Sequence, residues 1–481
     1  MQKRIGQILF FYSKKQYFCF LPGIDVSPAN FNPVDDRIIM MHLLKYLKRH
    51  ISSLTIVFIM FTMTMVSSNL NWNSGFWKDI IRTDGRGYYV YLPAIFIYHD
   101  LNLGFFDNIY YKKYPNKNTH FDYRVKCKGK IITKYYCGTA LLQLPFFLIA
   151  HGISHIHGYD PDGYSAPYPV LISIATLMYL LIGLVFLRKT LDLYQIRQRY
   201  IALILFALTF GTNIFYYSVN EPGMSHIYSL AVIAMFLFSG KIYFLTLKRR
   251  FIFVLAFLLG LIILIRPVNG LIIMSLPFLA GSLDRLKDGT LNALKNQKSL
   301  LFSILSFFAI LSIQLIIYKI STGSFFIYSY PNEGFKFLDP HMIGILFSYK
   351  KGLFLYTPLL LICLWGGFYL WGKNRFEFLS IFIFLFVLTY VLSSWNNWWY
   401  GGSFSSRVFT EYIPVFAILM GVALENFKKP FARKIYISLI FLFVIFCQIQ
   451  IYQYRYYYIH WENMTKEKYW DEFLRIDRLL D

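Results

Sequence analysis

The chain has 481 residues, of which 57% are hydrophobic and only 15% charged, and its formal net charge is +23. Soluble domains carry about 25% charged residues, so this composition excludes an ordinary soluble enzyme. In a soluble chain the positive balance would point to nucleic acid. Here it lies in loops between apolar runs, where it sets topology and meets anionic headgroups or phosphates, and no nucleic-acid partner is expected.

The apolar runs are roughly 17–22 residues long and free of charge, enough to cross about 30 Å of hydrocarbon as a helix. A membrane barrel would show short alternating segments instead. The expected fold is all-α and polytopic, with about eleven transmembrane helices, the amino terminus inside and the carboxyl terminus outside.

Residues 1–51 read as a cytoplasmic segment without a signal-peptide core or cleavage site. Met40 and Met41 directly precede a basic flank from Lys45 to His50, so 1–39 are a candidate mis-assigned start. Spans are expected at roughly 52–70, 168–187, 201–218, 227–247, 251–265, 268–282, 299–318, 353–371, 376–393, 408–424 and 433–451. They form one membrane domain, 52–451, followed by an external tail, 452–481. The segment 139–157 is excluded as a span: its apolar run is short, contains Pro145 and turns polar through His151, His155 and His157. With it excluded, the basic loops 188–199, 241–250, 285–298, 373–375 and 428–434 share the cytoplasmic side. The large external loops are then 71–167 and 319–352. Cys127 and Cys137 fall in the first; two unpaired thiols are expected, with a bridge as the alternative in an oxidising compartment. His151 and His155 share the i, i+4 spacing of a zinc helix, but Gly152 replaces the usual glutamate and no third ligand is evident.

Candidate chemistry clusters outside. Asp84 sits in Arg82-Thr-Asp-Gly-Arg-Gly-Tyr-Tyr89, just past the first span, with Gly85 and Gly87 read as allowing a tight turn. A carboxylate there is a candidate general base, since neither lipid nor a tight core favours it. Arg86 beside it is a phosphate candidate. The loop 219–226 supplies Glu221 and His226 at two helix ends, either as substrate contacts or as helix-end chemistry. Arg266 follows five aliphatic residues at a hairpin turn, where a guanidinium either clamps a phosphate or snorkels to headgroups. Lys350 and Lys351 end the second external loop and offer the same alternatives. The loop 394–407 combines Trp395, Trp398 and Trp399, whose faces suit sugar rings, with Asn396, Asn397, two glycines and Arg407. An interface belt explains the tryptophans alone but not the asparagines, glycines and arginine beside them.

Three stretches, Asp84-Gly-Arg-Gly-Tyr-Tyr89, Gly352-Leu-Phe-Leu-Tyr-Thr-Pro358 and Trp398-Trp-Tyr-Gly-Gly-Ser-Phe-Ser-Ser-Arg407-Val-Phe, together with the order of spans and loops, resemble the GT-C superfamily of membrane glycosyltransferases. Its members include protein O-mannosyltransferases and the aminoarabinose transferases that modify lipid A. The resemblance implies Asp84 as the catalytic acid by position. Many family members carry two adjacent acids, whereas Gly85 follows here, so Asp79, Asp100 and Asp107 remain candidates for the second. The implied activity is inverting transfer of a sugar from a polyprenyl-phosphate donor to a hydroxyl of a lipid, glycan or protein acceptor. Donor phosphate would meet Arg86, Arg266, Lys350 and Arg407. Glu221, His226, Trp395, Asn397, Trp398 and Trp399 would contact substrate. No cofactor is assigned and a divalent metal is left open. The expected place is the bacterial inner membrane, with the site facing the periplasm or exterior. A lipid-linked glycan polymerase or ligase, and a lipid or sugar transporter, are the rival readings; a transporter usually places its charges near the midplane.

Overall fold

The computed structural model describes residues 33–73, 75–115, 122–475 and 477. The chain divides into residues 1–47 and a unit of residues 48–481, and the second holds everything below except the start of the first helix. The candidate mis-assigned start, 1–39, lies almost wholly outside the described residues.

The helices follow the apolar runs. In chain order they are α1 (Pro33–Asn71), α2 (Asp84–Tyr89), α3 (Tyr91–Phe96), α4 (Gly138–His157), α5 (Pro167–Leu193), α6 (Gln198–Phe210), α7 (Asn213–Val219), α8 (Ser225–Thr246), α9 (Arg250–Ile265) and α10 (Leu276–Ala280). Then come α11 (Leu283–Lys295), α12 (Gln297–Thr322), α13 (Met342–Phe347), α14 (Leu353–Tyr356), α15 (Pro358–Cys363), α16 (Gly366–Lys373), α17 (Arg375–Ser393), α18 (Ile413–Asn426), α19 (Pro430–Arg455) and α20 (Lys466–Glu472). Among the described residues, 8 helices are long and apolar enough to cross a membrane, or up to 10 if two bent pairs count as spans. The protein is an integral membrane protein.

One bent pair is α6 and α7, turned by 61° at Gly211-Thr212. Thr212 stops the first helix and caps the second, its hydroxyl accepting from the Ile214 amide. The other bend, 120°, sets α11 across the bundle end after Gly281. That helix is amphipathic, and the Ser282 hydroxyl caps it on the Arg285 amide.

The 139–157 segment differs from expectation. It is one continuous helix, α4, that passes through Pro145 and meets the length and composition of a span. Its partners explain its course. The Tyr179 hydroxyl donates to the Leu142 carbonyl, and His151 Nδ1 lies 2.6 Å from the Tyr168 hydroxyl. So α4 pairs antiparallel with the first half of α5. The far half of α5 is elsewhere, with Arg188 donating to Ser53 near the start of the α1 span.

These contacts define two ends of the bundle. At one, Asn71 of α1 donates to the Val219 carbonyl and Trp72 to Ser173, beside the loops carrying Asp84 and Arg407. At the other, Arg188 meets α1, Arg197 pairs with Glu425, and Asn374 donates to the Gly281 carbonyl. The main apolar core runs through α5 to α10 and α14 to α19. A second core forms where α2, α3, α4 and the first turns of α5 close the region 80–172 into a cap. Burial is uneven: the α18 span is 89% buried inside the protein and α12 only 11%, so α12 offers its apolar surface to lipid.

In the cap, β1 (Arg124–Cys127) and β2 (Lys130–Thr133) form an antiparallel hairpin. Its turn residues Lys128 and Gly129 both have positive φ, as a two-residue hairpin turn requires. Cys127 and Cys137 are both free thiols.

Candidate active site

At the end that carries Asp84, the loops enclose a cavity of about 1420 Å³. Asp84 lines it at the start of α2, directly after Thr83, a β-branched residue held at φ 48°. Such a residue rarely takes positive φ, and strain of this kind concentrates at functional sites. The glycines around Asp84 act otherwise than expected, because neither Gly85 nor Gly87 has a positive φ. A Cβ on Gly85 would stand 3.2 Å from the Gly223 carbonyl group, and one on Gly87 would run into the Tyr135 ring. They permit backbone contact and ring packing, which press the Asp84 turn against the 219–226 loop.

Asp84 Oδ2 accepts a 2.7 Å bond from Arg407 Nη2. Burial pushes the Asp84 carboxyl up, but Arg407, the Tyr135 hydroxyl and Lys134 more than reverse this, holding it below the usual carboxylate range. Asp84 is therefore an ionised, weakly basic carboxylate. Arg407 begins the α18 span, after a loop turned at Tyr400, Gly401 and Ser405, all with positive φ. That loop is pinned from beneath by Lys351, whose ammonium donates to the Ser403 carbonyl. Burial, with Arg407 nearby, pushes the Lys351 ammonium down to about 7.

Arg266 lines the same cavity, and its Nη1 donates to Glu411 Oε1 at 2.8 Å. Glu411 is fully buried and also meets His226 Nδ1 at 3.1 Å. Arg82 pairs with Glu221 at 3.5 Å, and the Tyr216 hydroxyl donates to the same oxygen. Lys134 pairs with Glu333 at 3.3 Å. An apolar stretch of wall, Ile265, Val268, Leu271, Phe337 and Val391, adjoins Arg266. Another part of the lining is aromatic and polar, with Tyr216, Tyr454, Tyr457, Trp461 and Asn220.

Of the expected site residues, Asp84, Arg266, Arg407, Glu221, Trp395 and Asn397 line this cavity. Trp395 packs its edge against Tyr330 and Phe335, and Asn397 Oδ1 is buried with no hydrogen-bond partner. The others lie off the wall. Arg86 is buried beneath it, donating from Nε to the Ile81 carbonyl and stacking over Tyr110, which locks the cap. His226 is 1% exposed and stands behind the wall, with its Nδ1 against Glu411 Oε1 and Arg266 Nη1. Trp398 packs on Gly344 and stacks with His341, and Lys350 sits 3.6 Å over the Trp399 ring. Asp79 lines the cavity, whereas Asp100 caps its own turn at Asn102 and Gly104, and Asp107 pairs with Arg124.

Sequence reasoning missed Glu411, Lys134 and Tyr135. Glu411 carried a usable signal, because an acid inside an apolar span marks function by default. Among the described residues, no group of three or more His, Cys, Asp or Glu side chains gathers as a metal site, and the group against Asp84 is a guanidinium.

No family model matches the chain, and no curated protein matches it in sequence. Its fold is similar to that of the archaeal oligosaccharyltransferase AglB from Archaeoglobus fulgidus, solved with an inhibitory peptide and a dolichol-phosphate. That match has a TM-score of 0.50 at 10% identity and covers 89% of this chain. The apo oligosaccharyltransferase of the same organism matches with a TM-score of 0.49 at 11% identity, over 89% of this chain. The chain aligns with 58% of the length of each of these neighbours. At such identities the likeness is one of fold alone: over the aligned part the chain folds as this oligosaccharyltransferase does.

Proposed function

We propose that the protein is an inverting glycosyltransferase that moves a sugar from a polyprenyl-phosphate-linked donor to an acceptor hydroxyl. The observation that carries this reading is a single cavity at one end of a transmembrane bundle, where Asp84, Arg407 and Arg266 meet next to an apolar wall. The bundle reads as eleven passes, with α9, the α10 region and the broken α14 to α16 segment counted and α4 left in the cap. The positive-inside rule then puts the basic end in the cytoplasm and the cavity on the outer face. No nucleotide sugar is supplied there, so the donor must itself be membrane-bound.

In the proposed reaction, the polyprenyl chain lies along Ile265, Val268 and Leu271, with its phosphate at Arg266 and within reach of Arg407. The sugar sits over Asp84, near the Trp395 edge and Asn397. The acceptor oxygen attacks the anomeric carbon from the face opposite the phosphate. Its O–H proton passes to Asp84, and the anomeric C–O bond breaks with its electron pair on the phosphate oxygen. One displacement inverts the anomeric centre. A weak base suffices, because the hydroxyl becomes acidic as its oxygen bonds to carbon. Guanidinium groups beside the developing phosphate charge supply the electrostatic part.

Transfer of a larger lipid-linked glycan, as by a polymerase or ligase, is the second reading. The observation favouring it is cavity size: about 1420 Å³ exceeds the roughly 300–1,000 Å³ of most small-ligand sites. The test is mass spectrometry of lipid carriers and surface glycans from cells with and without the gene, complemented by wild type or Asp84→Asn. Loss of one sugar, restored by wild type alone, supports the first reading, and loss of a whole glycan supports the second. An unchanged glycan profile with a mislocalised lipid carrier would replace both with transport.

A further inference from the structure

Two arginines of the cavity wall, Arg266 and Arg407, have counter-ions of different kinds. Arg266 faces Glu411, which is 0% exposed, lies off the cavity wall and is also bound by His226. Arg407 faces Asp84, which lines the cavity and is the proposed base. Resting on the function proposed above, we infer a division of labour: Arg266 holds the donor phosphate from the start, whereas Arg407 is kept by Asp84 until Asp84 takes the acceptor's proton, and then turns to the departing phosphate.

Charge balance carries the argument. Before transfer the site holds an ionised Asp84, a cationic Arg407 and a phosphodiester with one negative charge. Afterwards Asp84 is neutral, Arg407 is unchanged and the phosphate monoester carries two. One negative charge has left the carboxylate and appeared on the phosphate, and Arg407 is the cation between them. Its bond to Asp84 weakens on protonation, because the Coulomb attraction between guanidinium and carboxylate is lost when the carboxyl becomes neutral. A donor is already in place for the new partner: Arg407 Nε is buried and makes no hydrogen bond. Buried donors are normally satisfied, and a phosphate oxygen would satisfy this one.

Arg266 cannot switch in this way. No acceptor reaches Glu411, and only Nη1 of Arg266 is spent on Glu411 and His226. The remaining N–H groups of the fork stay free for phosphate at every stage. An interaction equal in ground and transition states sets donor affinity, whereas one that strengthens only in the transition state sets turnover.

The test is binding of a synthetic polyprenyl phosphate to the full-length protein in lipid nanodiscs, with folding of each variant checked by thermal unfolding. Asp84→Asn frees Arg407 and is expected to bind the lipid about ten- to a hundredfold more tightly than wild type. Arg407→Ala in the Asp84→Asn background should lose that gain, and Arg266→Ala should weaken binding in both backgrounds. Kinetically, Arg266→Ala should raise donor KM, and Arg407→Ala should lower kcat. Wild type that binds the lipid with no gain in Asp84→Asn overturns the switch and leaves the proposed function standing. Wild type that binds no polyprenyl phosphate overturns both.

Discussion

The two ends of the bundle use charge in opposite ways. At the cavity end, Arg82, Lys134, Arg266 and Arg407 each meet a carboxylate, at 3.5, 3.3, 2.8 and 2.7 Å. At the other end, Lys248, Arg249, Arg250, Lys373, Arg375, Lys428 and Lys429 are exposed. The exposed set accounts for much of the net charge and reads as topology, because water and headgroups solvate it. The paired set is nearly neutral in sum and nearly invisible to a charge count. Burial makes it costly to disturb, because removing one partner strands the other charge in a poor solvent. Charge that orients a membrane protein and charge that performs its chemistry are thus told apart by pairing and burial, not by number.

Substitutions at the two ends should separate these roles. The largest effect is expected at Asp84: Asp84→Asn should lower turnover by about 10²–10⁴-fold, measured with purified protein and its lipid donor. Near-normal turnover would remove the base from the cavity end. Next is Glu411→Ala, which leaves Arg266 without its buried partner and should cost about 3–5 kcal/mol, read as thermal unfolding in detergent. Glu411→Gln, which keeps the shape and one acceptor oxygen, should cost less.

Arg407→Ala sharpens the contrast through pH. Asp84 lies below the usual carboxylate range because its cations and the Tyr135 hydroxyl outweigh burial. Without Arg407 the burial cost gains ground and the carboxyl moves up. The remaining activity should therefore fall off at higher pH on the acid side than in wild type, and an unmoved acid limb would detach Arg407 from Asp84. The smallest effect belongs to the basic end, where Lys428→Ala with Lys429→Ala should change stability by no more than about 0.5 kcal/mol and leave turnover alone. A large loss there would break the comparison.

The class of fold was legible in the sequence because the apolar runs are long and the basic loops alternate with polar, charge-poor ones. That Asp84 lies at the cavity end was legible from its place after the first span. What misled is physical. Trp398 and Trp399 have the composition of a sugar platform, yet Trp398 is spent on Gly344 and His341, and Trp399 on Lys350. Arg86 stands two residues from Asp84, but helix α2 carries its side chain to Ile81 and Tyr110, away from the cavity. Glu411 hides in an apolar span, and its role appears only when α9 brings Arg266 to it from 145 residues away. The span-like length of 138–157 was obscured by Pro145 and the histidines, whose ring and hydroxyl contacts with α5 appear only in three dimensions.

The most direct measurement of the central claim is the product itself. Purified protein in nanodiscs would be given a polyprenyl-phosphate sugar of known anomeric configuration and a hydroxyl acceptor, with product mass read by mass spectrometry and configuration by NMR. The account predicts one added sugar with inverted configuration, formed by wild type and not by Asp84→Asn. A retained configuration, or equal product from the variant, would contradict a single displacement based on Asp84.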